Sequence, residues 1–241
     1  MNSQMNDSQR INITNEVTTQ YKINEIFESI QGEGAFTGVP SIFIRVQGCP
    51  VGCPWCDTKH TWDIPPETEQ SASQVLLKSS DSDTWFRATA EQLLNILREE
   101  GYTAKHIILT GGEPCLYNLV PLTSLLIEND YSVQIETSGT FALKTHPDTW
   151  VTVSPKINMK GGYEVRRELL EQADEIKHPI AMEKHIEELD ELLAGKALKS
   201  SCLIYLQPIS QQQRATELAV KTCIERNWRL SLQTHKFIGI E

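Results

Sequence analysis

The sequence predicts an α/β fold, because segments of strand composition alternate with segments of helical periodicity along most of the chain. The first clear strand covers residues 41–47, and the alternation continues to residue 207. Repeated strand and helix order predicts a parallel sheet with helices outside it, as an open sheet or as a complete or partial barrel. A length of 241 residues suits one large domain of this kind.

The elements are assigned from composition and periodicity. Runs rich in β-branched and other apolar residues predict strands at residues 41–47, 106–110, 132–136, 150–154 and 202–207. Helical spacing of apolar residues predicts helices at 90–99, 119–128, 163–172 and 183–193. The carboxyl ends of parallel strands share one edge, so we expect one pocket to collect the segments that follow the strands: Cys49, 110–114, 136–139, 154–156 and 207–210.

Two segments do not follow this alternation. Residues 1–20 are rich in Asn, Ser, Gln and Thr, so we expect a mobile N-terminal tail before a core domain at 21–241. Residues 63–90 contain two prolines and a polar run, which indicates an inserted excursion. A tolerated surface loop is the simpler interpretation. The alternative is a lid or partner-binding surface with Trp85 and Phe86 as apolar anchors.

Composition narrows the class of ligand. The chain has 32 acidic and 22 basic residues, and its net charge of −10 opposes binding to nucleic acid. No Lys/Arg cluster offsets this charge, and neither a signal peptide nor a run of about 18 apolar residues is visible. We therefore expect a cytoplasmic protein that acts on a small molecule and has no nucleic-acid or membrane partner.

Three cysteines, Cys49, Cys53 and Cys56, form a CxxxCxxC motif. Three thiolates provide a 4Fe–4S cluster with three of its four ligands, which leaves one iron open to another molecule. Structural zinc sites usually have two paired knuckles, and no second pair follows here. A disulfide framework fits poorly, because six cysteines in 241 residues are sparse and no secretory signal precedes them. The remaining cysteines are predicted to be small buried residues: Cys115, Cys202 and Cys223.

The cysteine motif followed by Thr110-Gly111-Gly112-Glu113-Pro114 resembles the radical S-adenosylmethionine superfamily. A narrower set of motifs is similar to the 7-carboxy-7-deazaguanine synthases of the queuosine pathway: residues 24–34, 43–49, 56–58, 136–139, 154–156 and 233–236. The resemblance implies a partial, incomplete TIM-type barrel. It also implies a carbon–nitrogen lyase that converts 6-carboxy-5,6,7,8-tetrahydropterin to 7-carboxy-7-deazaguanine with loss of ammonia.

The resemblance also implies the cofactors. The three cysteines would hold the 4Fe–4S cluster, and S-adenosylmethionine would chelate the open iron and be cleaved to methionine and a 5′-deoxyadenosyl radical. Thr58 matches the position whose hydroxyl binds Mg²⁺, although by sequence alone it would be a helix cap. The expected contacts to S-adenosylmethionine are Trp55, Cys56, Asp57, Gly112, Ser154, Pro155, Lys156, Gln207, Pro208, Ile209 and Ser210.

Substrate contacts follow from the same resemblance. The matching positions are Ile30, Gln31, Gly32, Arg45, Thr110 and the α-carboxylate of Glu241. Arg45 can grip a carboxylate with two hydrogen bonds, and Gln31 can donate to and accept from a pterin edge. No residue is assigned as a protein acid or base, and the roles of His235 and Lys236 stay open. The expected partners are a flavodoxin-like or other electron donor and a second copy of the chain, as a homodimer.

Two other functions compete with this one. Radical activases, which abstract hydrogen from a glycine of a partner protein, also use CxxxCxxC. A regulatory protein could retain the fold and use residues 63–90 as its contact surface. Three features favour the small-molecule enzyme: residues 31–34, Arg45 and Thr58.

Overall fold

The computed structural model of this chain describes residues 19–209 and 212–240. Nine strands form one sheet in the spatial order β3-β1-β2-β4-β5-β6-β7-β8-β9. Six of the eight strand pairs, from β2/β4 to β8/β9, are parallel, whereas β1 is antiparallel to β2 and β3. The strands are β1 (Tyr21–Ile30), β2 (Pro40–Val46), β3 (Phe86–Ala88), β4 (His106–Gly111), β5 (Ser132–Thr137), β6 (Trp150–Val153), β7 (Glu175–Ile180), β8 (Leu203–Pro208) and β9 (Arg229–Leu230).

The edge strands β3 and β9 each pair on one side, so the sheet described here stays open and forms the predicted partial barrel. The helices are α1 (Ala72–Leu76), α2 (Ala90–Glu99), α3 (Val120–Glu128), α4 (Arg167–Gln172), α5 (Glu183–Leu193), α6 (Gln213–Arg226) and α7 (Thr234–Ile238). Helices α2 to α6 lie between successive strands from β3 to β9, except between β5 and β6, whereas α1 precedes β3 and α7 follows β9. In the part of the chain that the structure describes, no helix has the length and apolar character needed to cross a membrane.

Helix α2 could be predicted from its own segment of the sequence, because its cap and its apolar face are both local features. Thr89 caps its first turn, because its hydroxyl accepts from the Gln92 backbone N–H at 3.3 Å and the Gln92 amide oxygen accepts from the Thr89 N–H at 2.8 Å. Leu93 and Leu97 are fully buried on one face of the helix. Cap and periodicity agree, and the helix lies where it was predicted.

Most predicted strands and helices end within one or two residues of the observed ones, but the helix predicted at 163–172 begins only at Arg167. The Arg166 N–H donates to the Gly139 carbonyl at 2.8 Å. The Tyr163 ring packs against Phe141, with 4.9 Å between ring centroids. These contacts with the segment after β5 hold residues 163–166 outside the helix.

The two faces of the sheet differ in character, because neighbouring side chains of a strand point to opposite faces. On β5, Val133 and Ile135 join the apolar core under the helices. Gln134 and Glu136 face the barrel interior, where Gln134 Nε2 donates to Glu136 Oε1 at 3.0 Å and to Thr152 Oγ1 at 3.0 Å. The barrel interior is therefore polar, and at the carboxyl ends of the parallel strands it opens into the candidate site.

Residues 63–90 are more closely joined to the domain than the sequence indicated. Residues 86–88 form β3 and pair with β1, so the excursion ends earlier than predicted. Trp85 and Phe86 are 1% and 2% exposed, which contradicts their expected role as anchors on a contact surface. Asn24 Nδ2 also donates to the Ser82 carbonyl at 2.9 Å. The predicted tail at residues 1–20 lies almost wholly outside the described residues.

Candidate active site

One pocket of the described residues lies at the carboxyl ends of the parallel strands and has a volume of about 290 Å³. Its lining includes the segments that follow β2, β4, β5, β6 and β8, as the strand order predicted, and it also includes the inner side of β7. We call it the cysteine pocket, because its wall contains Cys49, Cys53 and Cys56.

A second cavity of about 210 Å³ adjoins it. We call this the arginine pocket; it is lined by residues that include Phe27, Phe43 and Arg45. The two pockets share six lining residues, so they form one continuous site: Glu33, Arg45, Asp57, Thr58, Thr110 and Glu136.

The cysteine loop fits an iron–sulfur cluster. Burial raises the pKa of Cys49 to about 11 and also raises the pKa of Cys53, and the neighbouring thiols add to both shifts. Thiolates in this pocket therefore require a compensating positive charge, which iron provides. Within residues 19–209 and 212–240, no three His, Cys, Asp or Glu side chains are grouped closely enough to hold one metal ion. All three cysteines line the same pocket, and in a 4Fe–4S cluster each thiolate binds a different iron.

Gly111, the last residue of β4, and Gly112 bring the end of this strand against the cysteine loop. A Cβ atom on Gly112 would lie 2.2 Å from the Gly48 carbonyl oxygen, and one on Gly111 would lie 2.6 Å from the Val46 nitrogen. The Glu113 N–H donates to that same Gly48 carbonyl at 2.8 Å. The β4 end and the cysteine loop therefore form one wall in which a side chain at either glycine has no space.

Glu113 is 1% exposed and joins two strand ends. Its Oε1 accepts from the Thr137 hydroxyl at 2.6 Å and from the Cys115 N–H at 3.0 Å. Its Oε2 accepts from the Ser138 N–H at 2.9 Å and from the Ser138 hydroxyl. Both oxygens are thus occupied by the protein, so this carboxylate fixes the loop after β5 against β4.

The structure brings together most of the residues predicted to contact S-adenosylmethionine. Pro155 is buried and is not part of the pocket lining, and Ser210 lies outside the described residues. The others line the cysteine pocket: Trp55, Cys56, Asp57, Gly112, Ser154, Lys156, Gln207, Pro208 and Ile209.

The predicted substrate residues gather in the arginine pocket. Its lining contains Ile30, Gln31, Gly32, Arg45 and Thr110. Arg45 is paired through Nε with Glu25, and its guanidinium lies 5.9 Å from the centre of the Phe27 ring. Glu241 lies outside the described residues.

Thr58 lines both pockets. It precedes a short 3₁₀ turn at Lys59–Thr61, but its side chain makes no capping hydrogen bond. Its hydroxyl oxygen lies 3.6 Å from Cys56 Sγ. The hydroxyl therefore contacts a cysteine of the motif at the junction of the pockets, and the capping hydrogen bond that the sequence alone suggested is absent.

Lys177 is a residue of the site that sequence reasoning missed. It is on β7, its side chain is 5% exposed, and its Nζ lies 2.7 Å from Glu33 Oε2 and 3.0 Å from Glu136 Oε1. Burial opposes its charged form, but the carboxylates around it outweigh burial and raise its pKa. Glu175, Lys177 and His178 interrupt the apolar pattern of β7, so only tertiary contacts reveal this cluster.

The C-terminal segment closes one side of the site. The Thr234 N–H donates to the Gly32 carbonyl at 3.0 Å, and a Cβ atom on Gly32 would lie 2.2 Å from His235 Nδ1. Lys236 Nζ donates to Gln233 Oε1 at 2.9 Å and lies 3.9 Å from Asp57 Oδ2. His235 and Lys236, whose roles the sequence left open, thus link the arginine pocket to the cysteine loop.

An open α/β barrel with a three-cysteine loop beside a glycine-lined strand end is characteristic of one class of enzymes. A family model described as the Radical SAM superfamily matches residues 43–175. This class uses an iron–sulfur cluster with S-adenosylmethionine, which agrees with the site.

Comparisons with whole proteins narrow the class. The 7-carboxy-7-deazaguanine synthase of Escherichia coli strain K12 is 58% identical over 221 residues, which cover 92% of this chain and 99% of that protein. The synthase of Buchnera aphidicola (subsp. Schizaphis graminum) is 47% identical over 91% of this chain and 99% of its own length. The crystal structure of QueE from Escherichia coli is similar with a TM-score of 0.87 and 57% identity, covering 88% of this chain and 93% of that one. The chain belongs to the 7-carboxy-7-deazaguanine synthase family.

Proposed function

We propose that this protein is a radical S-adenosylmethionine lyase that converts 6-carboxy-5,6,7,8-tetrahydropterin to 7-carboxy-7-deazaguanine with loss of ammonia. One observation carries the proposal beyond family membership. The three-cysteine pocket opens directly into a second pocket, and Arg45 and Thr58 line both of them. Such a site can hold a cofactor and a small carboxylated substrate next to each other.

Cys49, Cys53 and Cys56 would hold the cluster, and the wall around Gly112 would receive S-adenosylmethionine. When bound, these groups supply a one-electron cleavage that produces a carbon-centred radical. Trp55 lies at the mouth of the pocket with 45% of its surface exposed. On the inner side, Lys156 Nζ donates to the Ser154 carbonyl at 2.9 Å, which holds its charge near the cysteine loop.

Arg45 would bind the carboxylate of the substrate. Its Nε is bonded to Glu25, which orients the guanidinium and leaves its other N–H groups for a carboxylate. In Arg45→Lys we expect KM to rise about tenfold with a smaller change in kcat, because the charge remains but the planar fork is lost. Arg87 offers a matched control, since it also pairs with a glutamate, Glu69 at 2.9 Å, and stacks on a tryptophan. Equal KM values for Arg45→Lys and Arg87→Lys would contradict this role.

Thr58 would bind Mg²⁺ through its hydroxyl. Mg²⁺ prefers oxygen ligands and retains several waters, so one hydroxyl together with substrate oxygens forms a sensible site. In Thr58→Ala we expect the Mg²⁺ concentration for half-maximal activity to rise at least about tenfold. The iron content should stay unchanged. Thr216→Ala, a hydroxyl on α6 outside both pockets, is the control. Full activity of Thr58→Ala at unchanged Mg²⁺ would refute the assignment.

The proposal includes partners that follow from the chemistry. Reductive cleavage needs an electron, so we propose a flavodoxin-like or other electron donor in the cytoplasm, and we propose a homodimer by resemblance to the family. The activase alternative is not favoured, because the named relatives are 7-carboxy-7-deazaguanine synthases. A contact surface anchored on Trp85 and Phe86 is not favoured either, since both are buried.

An omission series tests the proposed function. The protein is reconstituted anaerobically with iron and sulfide and is then given reductant, S-adenosylmethionine, Mg²⁺ and the carboxytetrahydropterin. We expect the complete mixture to form 7-carboxy-7-deazaguanine, identified by its mass. A mixture without Mg²⁺ should form this product more slowly, and omission of any other component should abolish it. The absence of this product from the complete mixture would reject the proposal.

A further inference from the structure

Two glutamates meet one lysine between the pockets, and their surroundings differ. Lys177 Nζ contacts both Glu33 and Glu136, and both glutamates line both pockets. When two carboxyl groups of an active site have different surroundings, one can stay ionised while the other keeps its proton and acts as a proton donor. The hydrogen bonds of each glutamate therefore decide which role it can take.

Glu33 has donors at both oxygens. Its Oε2 lies 2.7 Å from Lys177 Nζ, while its Oε1 accepts from Gln233 Nε2 at 2.8 Å and from Gln207 Nε2 at 3.3 Å. Burial alone would raise its pKa, but the charge of Lys177 and these hydrogen bonds outweigh burial and lower the pKa to about 2. Glu33 is thus held as a carboxylate.

Glu136 has its donors at one oxygen. Oε1 accepts from Lys177 Nζ and from Gln134 Nε2, each at 3.0 Å, and Oε2 has no hydrogen-bond partner among the described residues. The side chain is 16% exposed, at the junction of the two pockets. Its free oxygen can therefore carry a proton next to a bound substrate.

The charges around Glu136 favour that proton. Burial is the main cause that raises its pKa to about 7; Lys177 opposes the rise, and Glu175 and Glu33 add to it. Glu175 is fully buried below Lys177, outside both pockets, where its Oε2 accepts from the Ala35 N–H at 3.0 Å. The charged or titratable groups of this cluster and around it come from β5, the segment after β6, β7, the β1–β2 loop and the C-terminal segment: Glu136, Lys156, Glu175, Lys177, Glu33 and His235.

We propose that Glu136 is a catalytic acid that protonates the nitrogen leaving as ammonia, and that Lys177 and Glu175 are its positioning residues. This inference rests on the proposed function. The observation that carries it is the contrast between Glu33, which has donors at both oxygens, and Glu136, whose second oxygen is free at the pocket junction.

The proton transfer balances without another reagent. As the C–N bond breaks, its electron pair leaves with the nitrogen, and the Glu136 O–H gives that nitrogen its proton. Glu136 becomes a carboxylate, which Lys177 stabilises. The Glu136 carboxylate then takes a proton from a carbon of the substrate. The electron pair of that C–H bond becomes part of the aromatic five-membered ring. No net electron is gained or lost in this elimination.

Three variants of the reconstituted protein test the inference, with ammonia release as the readout. In Glu136→Gln we expect substrate binding within about twofold of the parent and ammonia release at least about 100-fold slower. In the parent, ammonia release should fall as pH rises through about 7, because the protonated form is active. In Glu175→Gln this fall should move about one pH unit lower, since a neighbouring negative charge is removed. A merely structural role of Glu175 would not move the profile.

Glu187→Gln, on the exposed face of α5, is the control for the substitution itself. Lys177→Arg, the third variant, retains the positive charge beside Glu136 and should keep a measurable pH profile. Wild-type ammonia release and an unchanged profile in both Glu136→Gln and Glu175→Gln, while the parent forms the deazaguanine, would overturn this inference alone. The absence of product from the parent would overturn the proposed function and the inference with it.

Discussion

Cys53→Ala is expected to lose both the iron–sulfur cluster and all product formation. Cys53 is buried in the wall of the cysteine pocket and supplies one of only three thiolates. With two thiolates left, a 4Fe–4S cluster has half of the ligands that a four-cysteine site provides. After anaerobic reconstitution, iron content and the charge-transfer absorbance of the cluster should fall to the level of unreconstituted protein.

Cys202→Ala is the matched control. Cys202 is a free, half-buried cysteine directly before β8 and does not line the cysteine pocket. We expect its variant to bind the same amount of iron as the parent and to form product at the parent's rate. A full cluster in Cys53→Ala, or loss of the cluster in Cys202→Ala, would show that the ligands are not those assigned.

Gly112→Ala is expected to abolish tight binding of S-adenosylmethionine without unfolding the protein. The new methyl group would lie 2.2 Å from the Gly48 carbonyl oxygen and 3.0 Å from the Gly48 nitrogen. Backbone cannot yield as a flexible side chain does, so the β4 end and the cysteine loop must move apart. This displacement of the pocket wall that would receive S-adenosylmethionine should weaken its binding at least about 100-fold.

The measurement is equilibrium binding of S-adenosylmethionine to the reconstituted protein, together with its melting temperature. Gly101→Ala is the control: its φ of +70° makes alanine unfavourable by about 1 kcal/mol, but no atom lies within 4 Å of the added Cβ. We expect Gly101→Ala to lower the melting temperature and leave binding unchanged. Unchanged binding in Gly112→Ala would contradict the close approach as the cause.

The parts of the fold that could be predicted have strong local signals. Helix α2 carries a capping box and an apolar face, so its ends were predicted from sequence alone. Strand β7 was missed, because Glu175 and Lys177 point into the barrel and break the apolar pattern. Strand β3 was assigned to a loop, because its three residues acquire a strand partner only through β1.

The residues of the candidate site also fall into those that the sequence could predict and those that it could not. The cysteine motif and Gly112 could be found because each lies in a short contiguous motif whose chemistry depends on close spacing. The cluster of Glu33, Glu136 and Lys177 could not, since its members come from three distant segments and are functional only through their contacts. The motif 136–139 was noticed as a strand end, but nothing in it distinguishes an acid from a structural carboxylate.

The most direct test of the central claim is the ratio of two products in one reaction. Reconstituted protein is incubated with reductant, S-adenosylmethionine, Mg²⁺ and 6-carboxy-5,6,7,8-tetrahydropterin, and both 7-carboxy-7-deazaguanine and ammonia are quantified over time. We predict that the two products form in equal amounts, and that neither forms in a variant lacking Cys49, Cys53 and Cys56. Ammonia without the deazaguanine, or equal product from the cysteine variant, would contradict the account.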